Sequence, residues 1–245
     1  MRSLSVAALV LMAGCAATET GNPVAEQRLA LTAVSSAPAV QLDAGDGAEI
    51  VVREAWVVLG DVRFIPGSDC DSGDDDEGRI DVPGPTVVEL VAAPEPFVFD
   101  LEDRDYCRVR VPLERADEVP GAAPEALEDH AIVLLGSLAD GTELEVRSRD
   151  KREAEVRSRT EPFRRGDAEA SLLLAFDVGR WLDGLDLESA ARDDDGRIVI
   201  DDDDNGELLD QLEENMREAL ELFRDLDDDG RLDDDERSTP LATGG

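Results

Sequence analysis

Three observations in this chain predict a mainly β protein. The expected form is an antiparallel β-sandwich of about eight or nine strands with a C-terminal α-helix and an acidic loop behind it. From about residue 28 to 180, apolar residues recur with a period of two, in short runs separated by turn residues. Hydrophobic residues make up 42% of the 245, enough to bury a core over most of that length. After Asp186 the composition shifts abruptly, with 21 acidic residues and four arginines between 193 and 236. The chain therefore divides into a leader (1–14), a tether (15–27), a β domain (28–185) and an acidic C-terminal segment (186–245).

Within the β domain, AEIVVREAWVVLGDVRF gives one or two strands, with Gly60-Asp61 as a bulge or turn. TVVELVAA, PFVFDL and YCRVRVPLE follow as further strands. HAIVLLGSLADGTELEVRSR reads as a hairpin, because Asp140-Gly141 is a favoured turn pair between two apolar runs. Its second arm puts Leu144, Val146 and Ser148 on one side and Glu143, Glu145 and Arg147 on the other, as in a half-buried sheet. REAEVRSR continues the meander, and EASLLLAFDVGRWL supplies a last strand that turns into a short segment around Trp181. Together AWVVLGDVRF, YCRVRVPL, IVLLGSLADGTELEV and LLLAFDV resemble a β-sandwich domain of unassigned activity that recurs in bacterial lipoproteins. That resemblance implies an architecture and brings no catalytic residue.

The N-terminus reads MRSLSVAALVLMAGCAATETGNP. One basic residue precedes an apolar run too short to span a bilayer and of the right length for an export signal. Ala13, Gly14 and Cys15 after Met12 resemble the bacterial lipobox, whose cysteine becomes the lipidated first residue. An ordinary secretory signal with an incidental cysteine is the competing reading. The resemblance implies lipidation at Cys15, and Ala16 in the next position implies sorting to the outer membrane of a Gram-negative cell. The small, polar, Gly/Pro-containing stretch that follows suits a tether.

Export places Cys70 and Cys107 in an oxidising compartment, where a pair is expected to form a disulfide rather than two free thiols. Such a bond would tie the acidic loop around Cys70 to the sandwich. Redox catalysis is a poor fit, since no CxxC is present and His130 is the sole histidine.

The 60 acidic residues against 24 basic ones leave a formal charge of −36, a field that repels nucleic acid and attracts cations and basic partners. Several candidate sites have simpler readings. Arg165-Gly166-Asp167 spells an adhesion tripeptide by composition alone. His130 precedes an apolar run and reads as structural. Loop 69–77 has many carboxylates but lacks spaced aspartates with a sixth-place glycine, so it reads as a solvated loop. No GxSxG elbow, P-loop or HExxH occurs.

In the acidic segment, Asp204 with Glu207 resembles a capping box opening a helix over about 205–224. Leu209, Leu212, Met216, Leu220 and Phe223 recur at spacings of three and four as one apolar stripe. Glu213 with Arg217 is expected to form an ion pair on the wet side. Directly after that helix comes DLDDDGRLDDDE, which resembles an EF-hand calcium loop place by place. Asp225, Asp227 and Asp229 take the first, third and fifth places, and Gly230 the sixth, where the chain turns sharply. Arg231 offers its carbonyl at the seventh and Leu232 is the buried eighth. Asp233 is the water-bridging ninth, and Glu236 the closing twelfth. Composition would supply aspartates freely, but not the glycine, leucine and glutamate at fixed offsets.

Upstream, ARDDDGRIVIDD carries Asp193, Asp195 and Gly196 at the third, fifth and sixth places, with Asp202 as a short closer. It reads as a degenerate partner loop with weak ion binding or none, its Ile198 pairing with Leu232. DDDDNGELLDQL is a rival loop, but Leu212 removes its closing carboxylate. The expectation is a non-enzymatic envelope lipoprotein that carries one calcium ion as a structural fixture. Its partners would be the membrane, through the lipid, and an envelope protein or glycan. An adhesion or carbohydrate-recognition module is the alternative, and an enzyme the third reading.

Overall fold

A computed structural model describes residues 24–33, 40–43, 49–70, 77–91, 97–159, 161–164 and 171–245. Cys15, the Arg165-Gly166-Asp167 tripeptide and the middle of the acidic loop, 71–76, lie outside the described residues. Two sheets pack face to face, as the mainly β pattern predicts. The larger has ten strands. Across it run β5 (Ile80–Val82), β4 (Val62–Pro66), β8 (Asp105–Pro112), β11 (Glu153–Arg157), β16 (Ala242–Gly244), β15 (Leu220–Asp225), β13 (Ser171–Phe176), β1 (Val24–Ala33) and β7 (Phe97–Glu102). A two-residue strand, β12 (Phe163–Arg164), sits beside β8. The smaller sheet runs β14 (Ile198–Ile200), β10 (Glu143–Ser148), β9 (Ile132–Leu138), β3 (Glu49–Leu59) and β2 (Val40–Asp43), with β6 (Thr86–Glu89) also on β3. Pairing is antiparallel except between β1 and β13 and between β10 and β14.

The alternation read in the sequence decides what faces inward. Leu144, Val146 and Ser148 of β10 are buried while Glu143 is exposed. Ile50, Val52, Val57 and Leu134 of the small sheet meet Phe64, Val109, Val111 and Leu174 of the large one in a single core. Asp140-Gly141 makes the expected hairpin, with Gly141 at a φ of 87° and its N–H bonded to the Leu138 carbonyl. A second apolar layer forms on the outer face of the small sheet, where Ala116 and Leu127 cover Val58 and Val133.

Of two connections, the turn at Gly60-Asp61 forms as read, and the one after β10 differs. Gly60-Asp61 carries the chain from β3 in one sheet to β4 in the other. The meander expected after β10 does not form, because β11 crosses to the large sheet and pairs with β8 and β16. Period two marks a strand but says nothing about which sheet it joins.

The larger correction concerns residues 205–224. The helix α2 (Gly206–Glu218) ends early, and Leu220–Asp225 forms strand β15, antiparallel to β13 over six residue pairs. Leu209, Leu212 and Met216 do line the buried face of α2, packed with Trp181 at the end of the short helix α1 (Val178–Trp181). Leu220 and Phe223 continue the spacing of three and four by coincidence. Leu220 and Leu222 point into the main core, and Phe223 into a small cluster on the other face with Leu173 and Ala175. The segment after 186 is thus woven into both sheets through β14, β15 and β16, and the two sheets together hold more strands than the eight or nine expected. Among the described residues, no helix is long and apolar enough to cross a membrane.

Candidate metal centre

The loop 225–236 leaves the large sheet directly from the end of β15. Asp225 is the last strand residue, paired across the ladder with Ser171, and it is 1% exposed. Its carboxylate is stranded in the protein by the register of β15, not by the loop. From there the chain turns through two left-handed residues, Asp228 at φ 61° and Gly230 at φ 74°. Asp225 accepts the N–H of Asp229 on Oδ1 at 3.2 Å and that of Gly230 on Oδ2 at 3.0 Å. Asp227 accepts the Asp229 N–H at 3.3 Å, and Asp229 accepts that of Arg231 at 2.8 Å. These bonds wind the loop so that one carboxylate oxygen each from Asp225, Asp227 and Asp229 lies within 4.8 Å of the others. The three form a group able to hold a metal ion.

Burial raises the pKa of Asp225, and the charge of Glu236 raises it further, against the opposing pull of the Gly230, Asp228 and Asp229 N–H groups. A cation beside these carboxylates would relieve that cost. Glu236, at the closing place, is 4% exposed but stands outside the three-aspartate group. Its Oε1 accepts the Leu226 N–H at 2.6 Å and its Oε2 the Asp233 N–H at 3.1 Å, so it ties the ninth and second places together. Asp233 caps the one-turn helix α3 (Asp234–Arg237), a short exit where an EF-hand has a full helix. The element entering the loop is a strand, not the helix expected. Arg231 is exposed, and Leu232 packs against Leu173, Ala175 and Phe223, covering the back of β13. The Ser171 hydroxyl donates to Asp228, a residue with no ligand place in the sequence pattern. That bond fastens the loop tip to β13.

The upstream residues are arranged differently. Asp193 accepts N–H bonds from Asp195 and Arg197 and pairs with the Arg197 guanidinium at 2.8 Å. Asp202 is exposed, and neither it nor Asp195 joins Asp193 in a ligand group among the described residues. Ile198 does not pair with Leu232. It pairs with Leu144 in the small sheet, on the other side of the core. Asp204 does not cap α2. The residue that opens α2 is Asn205, at φ 56°, which spends its side chain on the Ala191 N–H and on the Ala191 and Val199 carbonyls instead.

Three further groups are structural. The Cys70–Cys107 disulfide forms as expected, with its Cα atoms 5.1 Å apart, and it ties the acidic loop to β8. Glu213 is not on the wet side. It is 2% exposed, accepts the Ser148 hydroxyl at 2.5 Å and pairs with Arg152 at 2.7 Å, while Arg217 pairs with Glu214. Its place in the apolar stripe, one residue after Leu212, was the signal for burial. His130 is buried and donates its Nδ1 proton to the Glu128 carbonyl at 2.6 Å. Burial lowers its pKa, as do Arg149 and Arg147, outweighing that bond.

No family model matches this chain, and no curated protein matches it. Among solved structures, MbnP from Methylosinus trichosporium aligns over 63% of this chain and 76% of its own, at 12% identity and a TM-score of 0.29. A likeness that slight carries neither fold nor function.

Proposed function

We propose that this chain is a non-enzymatic, lipid-anchored module of the outer membrane, a β-sandwich that holds one calcium ion at loop 225–236. The observation that carries the reading is the Asp225, Asp227 and Asp229 group, with carboxylate oxygens within 4.8 Å of one another at the end of a largely buried strand. Hard carboxylate oxygens favour calcium or magnesium over softer metals. Calcium takes a variable number of oxygen ligands in loose geometry, which suits carboxylates carried on a loop better than the strict octahedron of magnesium does. Asp225, Asp227 and Asp229 would hold the ion, with the Arg231 carbonyl, Asp233 through water, and Glu236 completing the set. Calcium modules outside the cell bind near about 10⁻⁴–10⁻³ M, where the ion is a fixture rather than a signal.

Titration calorimetry of the chain with calcium chloride, and with magnesium chloride beside it, tests the site. Saturable calcium heat that disappears in Asp225→Ala with Glu236→Gln supports the reading. Absence of calcium heat in the wild type, or equal heat in the double variant, removes it. The anchor is tested separately: Cys15→Ser should move the protein from the membrane fraction to the soluble one. A partner in the envelope, protein or glycan, belongs to the same proposal, and recovery of one partner set with and without chelator would confine the ion to a local role.

A further inference from the structure

The large sheet is joined at its middle by its shortest interior strand. Four strands, β5, β4, β8 and β11, with β12 beside them, lie on one side, and β15, β13, β1 and β7 on the other. Only β16 lies between, and among the described residues no other ladder crosses the seam. Its pairing is brief. Gly244 faces Val156 and Thr243 faces Arg157 on β11, while Thr243 faces Glu221 and Ala242 faces Leu222 on β15. The Leu241 N–H to the Leu222 carbonyl, at 2.7 Å, and Arg159 to the Thr243 hydroxyl, at 2.9 Å, add to this.

The slot is selective. A Cβ at Gly244 would collide with the Arg217 carbonyl oxygen and come within 3.1 Å of those of Glu218 and Leu220. Ala242 is buried, so its place admits only a small side chain. The sequence that fits is Ala-Thr-Gly, which this chain itself carries. Sixteen residues, 226–241, connect β15 to β16 and could span up to about 50 Å when extended. We infer that the seam between β11 and β15 is a strand-acceptor groove, filled in cis by β16 and open to the same strand from a second copy of this chain. Main-chain ladders supply the affinity and the glycine position the specificity, as in other strand-addition interfaces. The inference does not depend on the calcium reading, and its test is run in chelator.

Arg157 and Thr243 are register partners, so cysteines there report the pairing. In chains carrying Cys15→Ser, the double variant Arg157→Cys with Thr243→Cys should link within one chain under mild oxidation. A chain with Arg157→Cys alone and one with Thr243→Cys alone are then unfolded and refolded together, and oxidised. A disulfide-linked heterodimer should form in a fraction that rises with protein concentration. Adding Gly244→Val to the Thr243→Cys donor should abolish it. Linkage in cis with no heterodimer overturns the inference. So does a heterodimer that Gly244→Val leaves unchanged, since that is thiol collision without seating. Failure of the double variant to link in cis overturns it too.

Discussion

The Gly230 N–H lies 3.0 Å from Asp225 Oδ2, so the sixth loop place is bonded to the first through a carboxylate that the sheet has already buried. Asp225 is therefore costly without a cation and useful with one. Replacing it by asparagine removes the charge and keeps the volume. In chelator, Asp225→Asn should melt close to the wild-type temperature, relief of the buried charge being set against the one backbone N–H that an amide NH2 cannot accept. In calcium it should fall clearly below, because an ion at ten times its dissociation constant adds about 1.4 kcal/mol to the wild type alone. Paired melting curves in chelator and in calcium chloride check this, and an Asp225→Asn protein that gains as much from calcium as the wild type refutes it.

Gly230 itself stands at φ 74°, where a side chain is strained. Gly230→Ala should cost about 1–2 kcal/mol in stability. It should also weaken calcium heat, since the turn sets the spacing of Asp225, Asp227 and Asp229. Denaturant melts with and without calcium separate the two effects: the strain persists in chelator, and the loss of binding shows only with the ion.

Glu213 gives a pH dependence of definite sign. Burial pushes its pKa up, Ser148 and Arg152 pull it down, Asp150 and Asp210 push it up again, and the net direction is up. A folded-state value above the unfolded one means the folded protein binds the extra proton. The stabilisation is full below the ordinary glutamate range and is lost as pH rises through the higher folded value. Compared with Glu213→Gln, the wild type should thus lose relative stability between about pH 4.5 and neutrality. Glu213→Ala, which removes the buried acceptor but leaves Arg152 paired with Asp150 and the Ser148 oxygen accepting the Asp150 N–H, should cost about 1–2 kcal/mol at neutral pH, discounted because Arg152 is partly exposed. Urea melts across that range for the three proteins are the measurement.

What was legible in the sequence, and what was not, follows from which forces act locally. Strands β9 and β10 and their Asp140-Gly141 turn were readable because alternation and turn chemistry are properties of neighbours. The grouping of Asp225, Asp227 and Asp229 was readable because the three lie within one short turn of chain. The fate of Leu220–Asp225 was not, since the spacing of three and four ran on past Glu218. The only local contrary sign was Leu222, an apolar residue off the stripe and two from Leu220. A six-pair ladder with β13 decided the matter, and that ladder joins residues about fifty apart in sequence. Glu213 was misplaced although its position beside Leu212 signalled burial; what a helical wheel cannot show is its partners Ser148 and Arg152, from β10 and the turn after it.

The Cys70–Cys107 bond closes a loop with a sequence separation of 37. Loop-closure entropy puts its contribution at about 3–4 kcal/mol. Cys70→Ser with Cys107→Ser should lose that much in guanidinium melts. Calcium binding should survive in the folded double variant, because residues 225–236 are not in the closed loop. Loss of calcium heat from a folded double variant would show coupling between the acidic loop and the metal centre.

Asn205 allows its backbone and side-chain roles to be separated. Its left-handed conformation, at φ 56°, is one that asparagine tolerates and alanine resists at about 1–2 kcal/mol. Its side chain accepts the Ala191 N–H at 2.8 Å and donates to the Ala191 and Val199 carbonyls at 3.0 and 2.6 Å. Those bonds close the ends of the 191–200 hairpin onto the start of α2, the geometry that turns Ile198 into the small sheet. Asn205→Gly keeps the backbone conformation and loses only the bonds, for an expected cost of about 1–2 kcal/mol. Asn205→Ala loses both and should cost about 2–4 kcal/mol. If chemical denaturation finds the two variants equal, the strain contributes nothing and the hydrogen bonds alone hold the hairpin.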